Sequence, residues 1–197
     1  MRLSALRSVF AAVALGLLVA SCGYNTIPTL EEQAKAKWSE VQNQYQRRND
    51  LINNLVETVK GAANFEKSTL EAVVNARAKA TSIQLNPGDL SDPVKVKQFQ
   101  DAQNQLSGAL GRLIAVSENY PDLKANQNFL ALQSQIEGTE NRIAVARRDY
   151  IGAVREFNTS LRTFPTVIWA KTMFSGSKPM AEFTADEGAS KPPQVKF

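Results

Sequence analysis

The sequence has no histidine among its 197 residues, and this absence closes several common routes to catalysis. Ser-His-Asp and Cys-His nucleophilic sites need an imidazole, and so do the Glu-x-x-His ligand pairs of di-iron helical bundles. The single cysteine allows no internal disulfide, and no Cys/His zinc site can be assembled. The composition therefore favours a non-enzymatic protein, and we expect no cofactor and no metal.

Basic side chains are interspersed with acidic ones and are not gathered into one stretch. The formal net charge is +4, and Arg2 and Arg7 supply two of these charges, so a chain that begins at Cys22 carries +2. Nucleic-acid binding requires a clustered basic face, and we therefore expect no nucleic-acid partner. Hydrophobic residues make up 43% of the chain, which is enough for one domain with a sizeable core.

The apolar run near the amino terminus is short for a membrane span. It reads VFAAVALGLLVA, has 12 residues (9–20), and follows the basic stretch MRLSALR. A spanning helix needs about 20 apolar residues, whereas a run of about 7–15 suits the apolar region of a signal peptide. This pattern predicts a secretory signal over residues 1–21.

The end of that run resembles a bacterial lipobox. Its residues are Val19, Ala20, Ser21 and Cys22. The resemblance implies cleavage before Cys22 and acylation of its thiol and new amino group, which would tether the chain to a membrane. The alternatives are a plain secretory site and a short anchor that happens to contain a cysteine. Without histidine, a catalytic thiol at Cys22 is disfavoured.

The lipobox-like segment sets the expected location and partners. We predict a bacterial cell-envelope protein, anchored through Cys22 and facing the periplasm or the cell exterior. In a host with two membranes, Gly23 after the cysteine favours the outer membrane; a single-pass anchor in the inner membrane is the alternative. The expected partners are the membrane and an unidentified membrane or periplasmic protein.

Beyond this segment the sequence shows helical periodicity and almost no strand pattern. Thr29 and Glu32 are spaced as a capping box, which predicts that the first helix begins with Thr29 as its N-cap. Lys60 and Gly61 predict its end. Arg48 falls in the register of the apolar stripe. The stripe consists of Ala34, Trp38, Val41, Tyr45, Ile52, Leu55 and Val59.

Two shorter helices are predicted next. The second helix carries Phe65, Val73, Ala76, Ala80 and Ile83. The third begins with Asp92 as its N-cap and Pro93 at its first position, and it ends before Pro121. Its predicted stripe is Phe99, Ala102, Leu106, Ala109, Leu113, Val116 and Tyr120.

The fourth predicted helix carries a seven-residue repeat. The repeat positions are Phe129, Ile136, Ile143, Tyr150, Phe157 and Phe164, and the companion positions are Leu132, Thr139, Ala146 and Ala153. A helix over residues 126–163 would be about 57 Å long, and Pro165 would end it. Such a helix needs neighbours along its whole stripe, which the first and third helices could supply.

These elements predict an all-α fold, an elongated antiparallel up-and-down four-helix bundle with long first and last helices. The bundle would occupy residues 29–165. A lipidated cysteine and short spacer would precede it over residues 22–28. A short helix and an extended C-terminal tail would follow over residues 166–197.

Several blocks of the sequence resemble the LemA family. They are residues 24–52, NARAKA at 75–80, the long block at 118–150, and Phe164-Pro165. The resemblance implies an elongated helical bundle outside the cytoplasm, held to the membrane by its amino-terminal segment. It implies no defined activity.

Polar residues on or beside the predicted stripes form a candidate network or partner contact. They are Arg47, Arg48, Asp50, Glu137, Glu140, Asn141, Arg142, Arg147 and Arg148. A buried charge at Arg48 should be paired, because an isolated one is costly. We predict that Arg48 meets Glu137 or Glu140 across the core and fixes the helix register. These two carboxylates share a helix face, but without histidine they do not make a complete metal-ligand set.

The sequence thus predicts a membrane-tethered helical scaffold that presents a bundle surface to a membrane or periplasmic protein. Two alternatives stay open at this point. One is a metal-dependent enzyme that uses Glu137 and Glu140, and the other is a lipid- or cell-wall-binding module.

Overall fold

The structure is a computed structural model that describes residues 23–62 and 65–184. Within these ranges it has helices and no strand. The elements are α1 (Thr26–Lys60), α2 (Lys67–Ser82), a 3-10 helix (Pro87–Ser91), α3 (Pro93–Ser117), α4 (Pro121–Lys124), α5 (Gln127–Ser160) and α6 (Thr166–Thr172). The predicted all-α fold is confirmed for this part of the chain.

The two long helices, α1 and α5, pack against each other and run antiparallel. Lys37 Nζ on α1 lies 3.2 Å from Asp149 Oδ2 on α5. Further along α1, Arg48 Nη1 lies 2.8 Å from Glu140 Oε1. Later residues of α1 therefore face earlier residues of α5, as expected for antiparallel helices. Helices α2 and α3 form a second closely packed pair.

The core consists of two apolar clusters. One surrounds Trp38, whose ring centroid lies 5.4 Å from that of Phe99 and 5.5 Å from that of Tyr150. The other contains Ile52, Leu55, Val56, Val59, Val73, Ala80, Leu106, Leu110, Leu113, Leu123, Phe129 and Ile136. Along α1, Tyr45 belongs to the first cluster and Ile52 to the second. The residues between them, including Arg48, therefore lie at the junction of the two clusters.

The predicted stripes of α1 and α5 are largely confirmed. Every residue of the α1 stripe is buried. On α5 the repeat is buried from Phe129 to Phe157, but the prediction for Phe164 is wrong, because that side chain is 75% exposed. The reason is that α5 ends at Ser160, so the seven-residue spacing no longer describes one helix face.

The stripe of α3 departs from its prediction in the second half of the helix. Leu110 and Ser117 are buried there, whereas the predicted positions, Ala109 and Val116, are only half-buried. An α-helix that follows a strict seven-residue repeat drifts by about 20° per repeat. Leu106 and Leu113 stay buried at the predicted spacing, whereas at the companion positions burial moves one residue on, to Leu110 and Ser117.

Of the two predicted helix starts, one is confirmed and the other is wrong. The Asp92 carboxylate accepts hydrogen bonds from the backbone amides of Val94 and Lys95 at 3.0 and 3.3 Å, as predicted. The prediction of Thr29 as the N-cap of α1 is wrong, because α1 begins at Thr26 with Asn25 as its N-cap. Pro28 is tolerated in the first turn because the amides there have no helical acceptor.

The C-terminal segment, defined here as residues 176–184, is docked on the helices without forming a helix or strand. The Asn158 side chain donates to Met180 O at 2.8 Å and accepts from Met180 N at 2.9 Å. Gln100 makes the same pair of contacts with Thr184, at 2.5 and 3.1 Å. Met180 and Phe183 are buried, so this part of the predicted tail is firmly docked.

Candidate functional site

The central feature of the interior is a buried guanidinium. The α1 stripe directs Arg48 into the core, where the residue is 1% exposed. An unpaired charge at such a position would be strongly destabilising. The arrangement of its neighbours therefore decides what this residue does.

Arg48 donates to oxygen atoms on two other helices. Its Nη1 donates to Glu140 Oε1 on α5 and to Ser107 Oγ on α3, each at 2.8 Å. Its Nη2 donates to Gln103 Oε1 on α3. The guanidinium carbon also lies 5.0 Å from the centre of the Tyr45 ring. The predicted contact between Arg48 and Glu140 is confirmed.

Gln103 extends the network to α2, since its Nε2 donates to Ala80 O at 3.2 Å. The polar layer, defined here as Arg48, Gln103, Ser107 and Glu140, thus connects α1, α2, α3 and α5. Gln103 and Ser107 were not among the predicted site residues. The sequence pattern that could have identified Gln103 is its spacing, four residues after Phe99 and three before Leu106, which places it on the same helix face as these two residues.

One end of the polar layer reaches solvent. The Glu140 side chain is 35% exposed, whereas that of Arg48 is 1% exposed. Burial raises the pKa of the neighbouring Tyr45 hydroxyl, and the charges of Arg147 and Arg48 partly oppose this rise. Tyr45 is therefore a neutral neighbour of the ion pair at physiological pH.

The other predicted acidic residues are engaged separately. Glu137 Oε1 accepts from Gln133 Nε2 at 3.0 Å, and Asp50 Oδ1 accepts from Gln46 Nε2 at 3.0 Å. Glu137 and Glu140 therefore do not share a set of partners. Within residues 23–62 and 65–184, no group of three or more Cys, Asp or Glu side chains is placed to hold a metal ion.

The remaining predicted residues lie at the surface or against the C-terminal segment. Arg47, Asn141, Arg142 and Arg148 are exposed. Arg147 is half-buried, with its guanidinium carbon 4.7 Å from the centre of the Phe183 ring. Only Arg48 and Glu140 of the nine predicted residues belong to the polar layer.

A shallow apolar groove runs between α1 and α5 beside the polar layer. Its volume is about 380 Å³, and it is lined by Glu40, Gln44, Asn141, Arg142, Val145, Ala146 and Asp149. Val145 is 47% exposed. Two predicted candidates, Asn141 and Arg142, therefore border a surface on which another protein could pack.

A second pocket, of about 260 Å³, lies between α1 and the chain that follows α2. Six amide side chains contribute to its lining: Gln42, Gln46, Asn49, Gln84, Asn86 and Gln103. The Asn49 side-chain oxygen is buried and accepts no hydrogen bond from the residues that the structure describes. This pocket offers amide donors and acceptors to a polar ligand.

The predicted lipid-attachment segment lies outside the described residues. It consists of Cys22 together with Val19, Ala20 and Ser21, and its acylation stays a prediction. Among the helices that the structure describes, none combines the length and the hydropathy required to cross a bilayer.

The sequence profile of the LemA family matches residues 37–197. Among curated proteins, the chain is 27% identical to "Magnetosome protein MamQ 2" of Paramagnetospirillum magneticum in an alignment 188 residues long, gaps included, that covers 87% of this chain and 68% of that protein. It is 30% identical to "Protein LemA" of Metamycoplasma hominis over 120 residues, 61% of this chain and 51% of that protein. "Magnetosome protein MamQ" of Magnetospirillum gryphiswaldense is 26% identical in an alignment 160 residues long, gaps included, that covers 72% of this chain and 58% of that protein.

Proposed function

The chain belongs to the LemA family, and from this premise we propose that it is a membrane-tethered helical scaffold. Its four longer helices would form an up-and-down bundle in the cell envelope, attached to the membrane through Cys22. The bundle would present a surface to a membrane or periplasmic protein. The proposed role is interaction, not catalysis.

The observation that carries this proposal is that the buried charge of the polar layer is paired with other residues of the fold. Arg48 and Glu140 form a 2.8 Å ion pair, and Gln103 and Ser107 also accept hydrogen bonds from the guanidinium. Buried polar contacts of this kind favour one register between helices over its alternatives. Because Glu140 is engaged in this ion pair, its contacts do not support the alternative of a metal-dependent enzyme that uses Glu137 and Glu140.

Membrane attachment is supported by the family and by the sequence that precedes the fold. Relatives in the LemA family suggest a membrane-associated protein. In this chain a basic stretch, a 12-residue apolar run and Cys22 precede the first described residue, Gly23. The order of these features is typical of a lipoprotein signal.

The groove between α1 and α5 is the favoured contact surface for a protein partner. It combines exposed apolar surface at Val145 with a polar border that includes Asn141, Arg142 and Glu40. An apolar centre with a polar rim is the common composition of a protein interface. An amphipathic helix of the partner would suit this shape.

Two experiments test the proposal in the native cell. Metabolic labelling with a palmitate analogue should mark the chain, and Cys22→Ala should abolish the label. A photoreactive side chain at Val145 should yield one discrete crosslinked partner, identified by mass spectrometry.

The matched control for crosslinking is Val94, which is also exposed, at 65%, but lies at the start of α3. Equal crosslinking from positions 145 and 94 would argue against the groove. A palmitate label that persists in Cys22→Ala would defeat the lipid tether.

Cell-wall binding is a second candidate, favoured by the amide-lined pocket. Hydroxyl-rich glycans form hydrogen bonds with amide side chains, and Asn49 offers a buried acceptor there. After Cys22→Ala removes the tether, this function predicts retention of the chain on purified cell-wall fragments. Asn49→Leu should reduce that retention, and retention that is unchanged would contradict a role for the pocket.

A further inference from the structure

Large apolar side chains are exposed on segments that meet at one end of the molecule. The end patch, as we define it, consists of Tyr24, Phe164, Ile168 and Met173, which are 41%, 75%, 50% and 63% exposed. Tyr24 precedes α1, Phe164 lies between α5 and α6, Ile168 lies on α6, and Met173 follows it.

Aromatic contacts hold these segments together. The Tyr24 ring centroid lies 5.5 Å from those of Trp169 and Phe174. Gly23 adopts a φ of 122°, and a Cβ atom added to it would lie 3.3 Å from Thr166 Cγ2. The first described residue of the chain is therefore packed against the start of α6.

The end patch is close in sequence to the apolar run, because Gly23 is packed against the start of α6. The apolar run ends at residue 20, so only Ser21 and Cys22 separate it from Gly23. Even a fully extended chain spans only about 3.5 Å per residue. A membrane that holds Cys22 or the apolar run must therefore lie within about 10 Å of Gly23.

The segment that follows α5 carries charge of one sign over a long stretch, and the nearby Glu31 of α1 is engaged, since it accepts from Ser177 Oγ at 3.1 Å and lies 2.9 Å from Lys35 Nζ. Between Glu156 and Glu182 the sequence contains no acidic residue, and it contains Arg162, Lys171 and Lys178. All three cations are exposed. Exposed cations beside apolar and aromatic side chains are the composition of surfaces that rest in the interface of an anionic bilayer.

We propose that the end patch is a lipid-contact surface. Phe164, Ile168 and Met173 enter the interfacial region of a phospholipid bilayer, and Arg162, Lys171 and Lys178 contact anionic headgroups. Trp169 and Tyr24 lie behind them at the headgroup level. The proposal rests on the proposed membrane attachment and adds to it a second contact, made by the folded domain itself.

The test uses the full chain with one labelled cysteine, reconstituted into vesicles of phosphatidylglycerol and phosphatidylcholine. Native Cys22 is kept so that the proposed tether stays in place, because an acylated thiol does not react with the dye, and Ile168→Cys provides the free thiol for a polarity-sensitive dye. The matched control carries the dye at Val145→Cys, another exposed position, 47% exposed in the native chain and on α5. Vesicle flotation is measured first, and then quenching of the dye by acrylamide.

The expected result is flotation of both labelled chains, with quenching at position 168 about threefold or more weaker than at position 145, because an interfacial side chain is shielded from water. Charge reversal by Arg162→Glu and Lys171→Glu should restore quenching at position 168. Equal quenching at both positions of a floating chain would overturn the lipid-contact surface and leave the tether intact. A chain that does not float would contradict membrane attachment and, with it, the lipid contact.

A change of lipid tests the headgroup part separately. In vesicles of phosphatidylcholine alone, position 168 should be quenched more strongly than in vesicles that contain phosphatidylglycerol. Equal shielding in both lipids would overturn the contact with anionic headgroups.

Discussion

At the scale of single residues, Arg48 illustrates how local pattern and long-range contact combine. Its position on the α1 stripe indicated a buried charge, and the cost of an unpaired charge indicated a carboxylate partner. Glu140 was predictable because it flanks the stripe of α5. Gln103 was not, because a glutamine between two apolar stripe positions is also compatible with a surface residue.

Arg48→Met should lower the free energy of unfolding by about 3 kcal/mol, because it leaves Gln103 and Ser107 without their donor in the interior. Glu140→Gln should cost about 2 kcal/mol even though Glu140 is 35% exposed, because the amide oxygen can still accept but the buried Arg48 guanidinium loses its counter-charge. Urea denaturation followed by circular dichroism measures both.

The matched control is Arg47→Met, because Arg47 is the preceding residue and is exposed. It should change stability by no more than about 0.5 kcal/mol. If Arg48→Met cost no more than Arg47→Met, the polar layer would have no role in stability.

Tyr150 gives a prediction for alkaline pH. Burial, followed by the negative charge of Glu182, raises the pKa of its hydroxyl, and the hydroxyl donates to Ala181 O at 3.2 Å. The folded chain therefore keeps this proton at pH values where the unfolded chain, with a tyrosine pKa of about 10, releases it. The stabilisation is complete below about pH 10 and is lost as the pH rises further.

Tyr150→Phe should therefore be less stable than the native chain by about 1 kcal/mol at pH 7.5, and this difference should shrink between about pH 10 and pH 11. Urea denaturation at several pH values in this range provides the measurement. The variant itself should still lose some stability as the pH rises, because burial also raises the pKa of the remaining Tyr45 hydroxyl. A difference that stays constant with pH would contradict the assignment to Tyr150.

At the scale of elements, the helices follow from periodicity, but their ends and the C-terminal segment do not. The burial of the α1 stripe follows from spacing alone. The ends of α5 and α1 depend on a few local contacts, so Phe164 and Thr29 were placed wrongly. The docking of residues 176–184 depends on Gln100 and Asn158, which are distant in sequence and leave no periodic pattern.

The two amides that hold the C-terminal segment give a prediction for this element. Gln100→Ala together with Asn158→Ala removes four hydrogen bonds to the backbone of Met180 and Thr184. Hydrogen exchange measured by mass spectrometry should become faster in residues 178–184 and stay unchanged in the middle of α1. The reason is that the segment can open locally while the long helices stay packed.

The matched control replaces two exposed amides of α1, Asn43→Ala and Asn54→Ala. These substitutions should leave exchange in residues 178–184 unchanged. Unchanged exchange in the Gln100 and Asn158 variant would show that the remaining contacts suffice to hold the segment, namely the buried Met180 and Phe183 side chains and the hydrogen bonds of Ala181 with Tyr150 and Leu90.

At the scale of the whole molecule, the end patch and the long helices together set an orientation. Tyr24 and α6 lie at the end where α1 begins and α5 finishes. If this end contacts the bilayer, α1 leads away from it, and Glu57 lies about 47 Å along the helix axis from Thr26 at about 1.5 Å per residue. The groove at Val145 would then be held away from the lipid surface, where a second protein can reach it.

This orientation predicts the distance of two labelled positions from the membrane. A donor dye at Gln33 should transfer energy strongly to acceptor dyes in the lipid headgroups, because it lies only about 10 Å along α1 from Thr26. A donor at Glu57 should transfer weakly. Both side chains are exposed, so the labels should not disturb the core. Equal transfer from the two positions would mean that the long helices lie along the bilayer, and the groove would then have to be reached from the side.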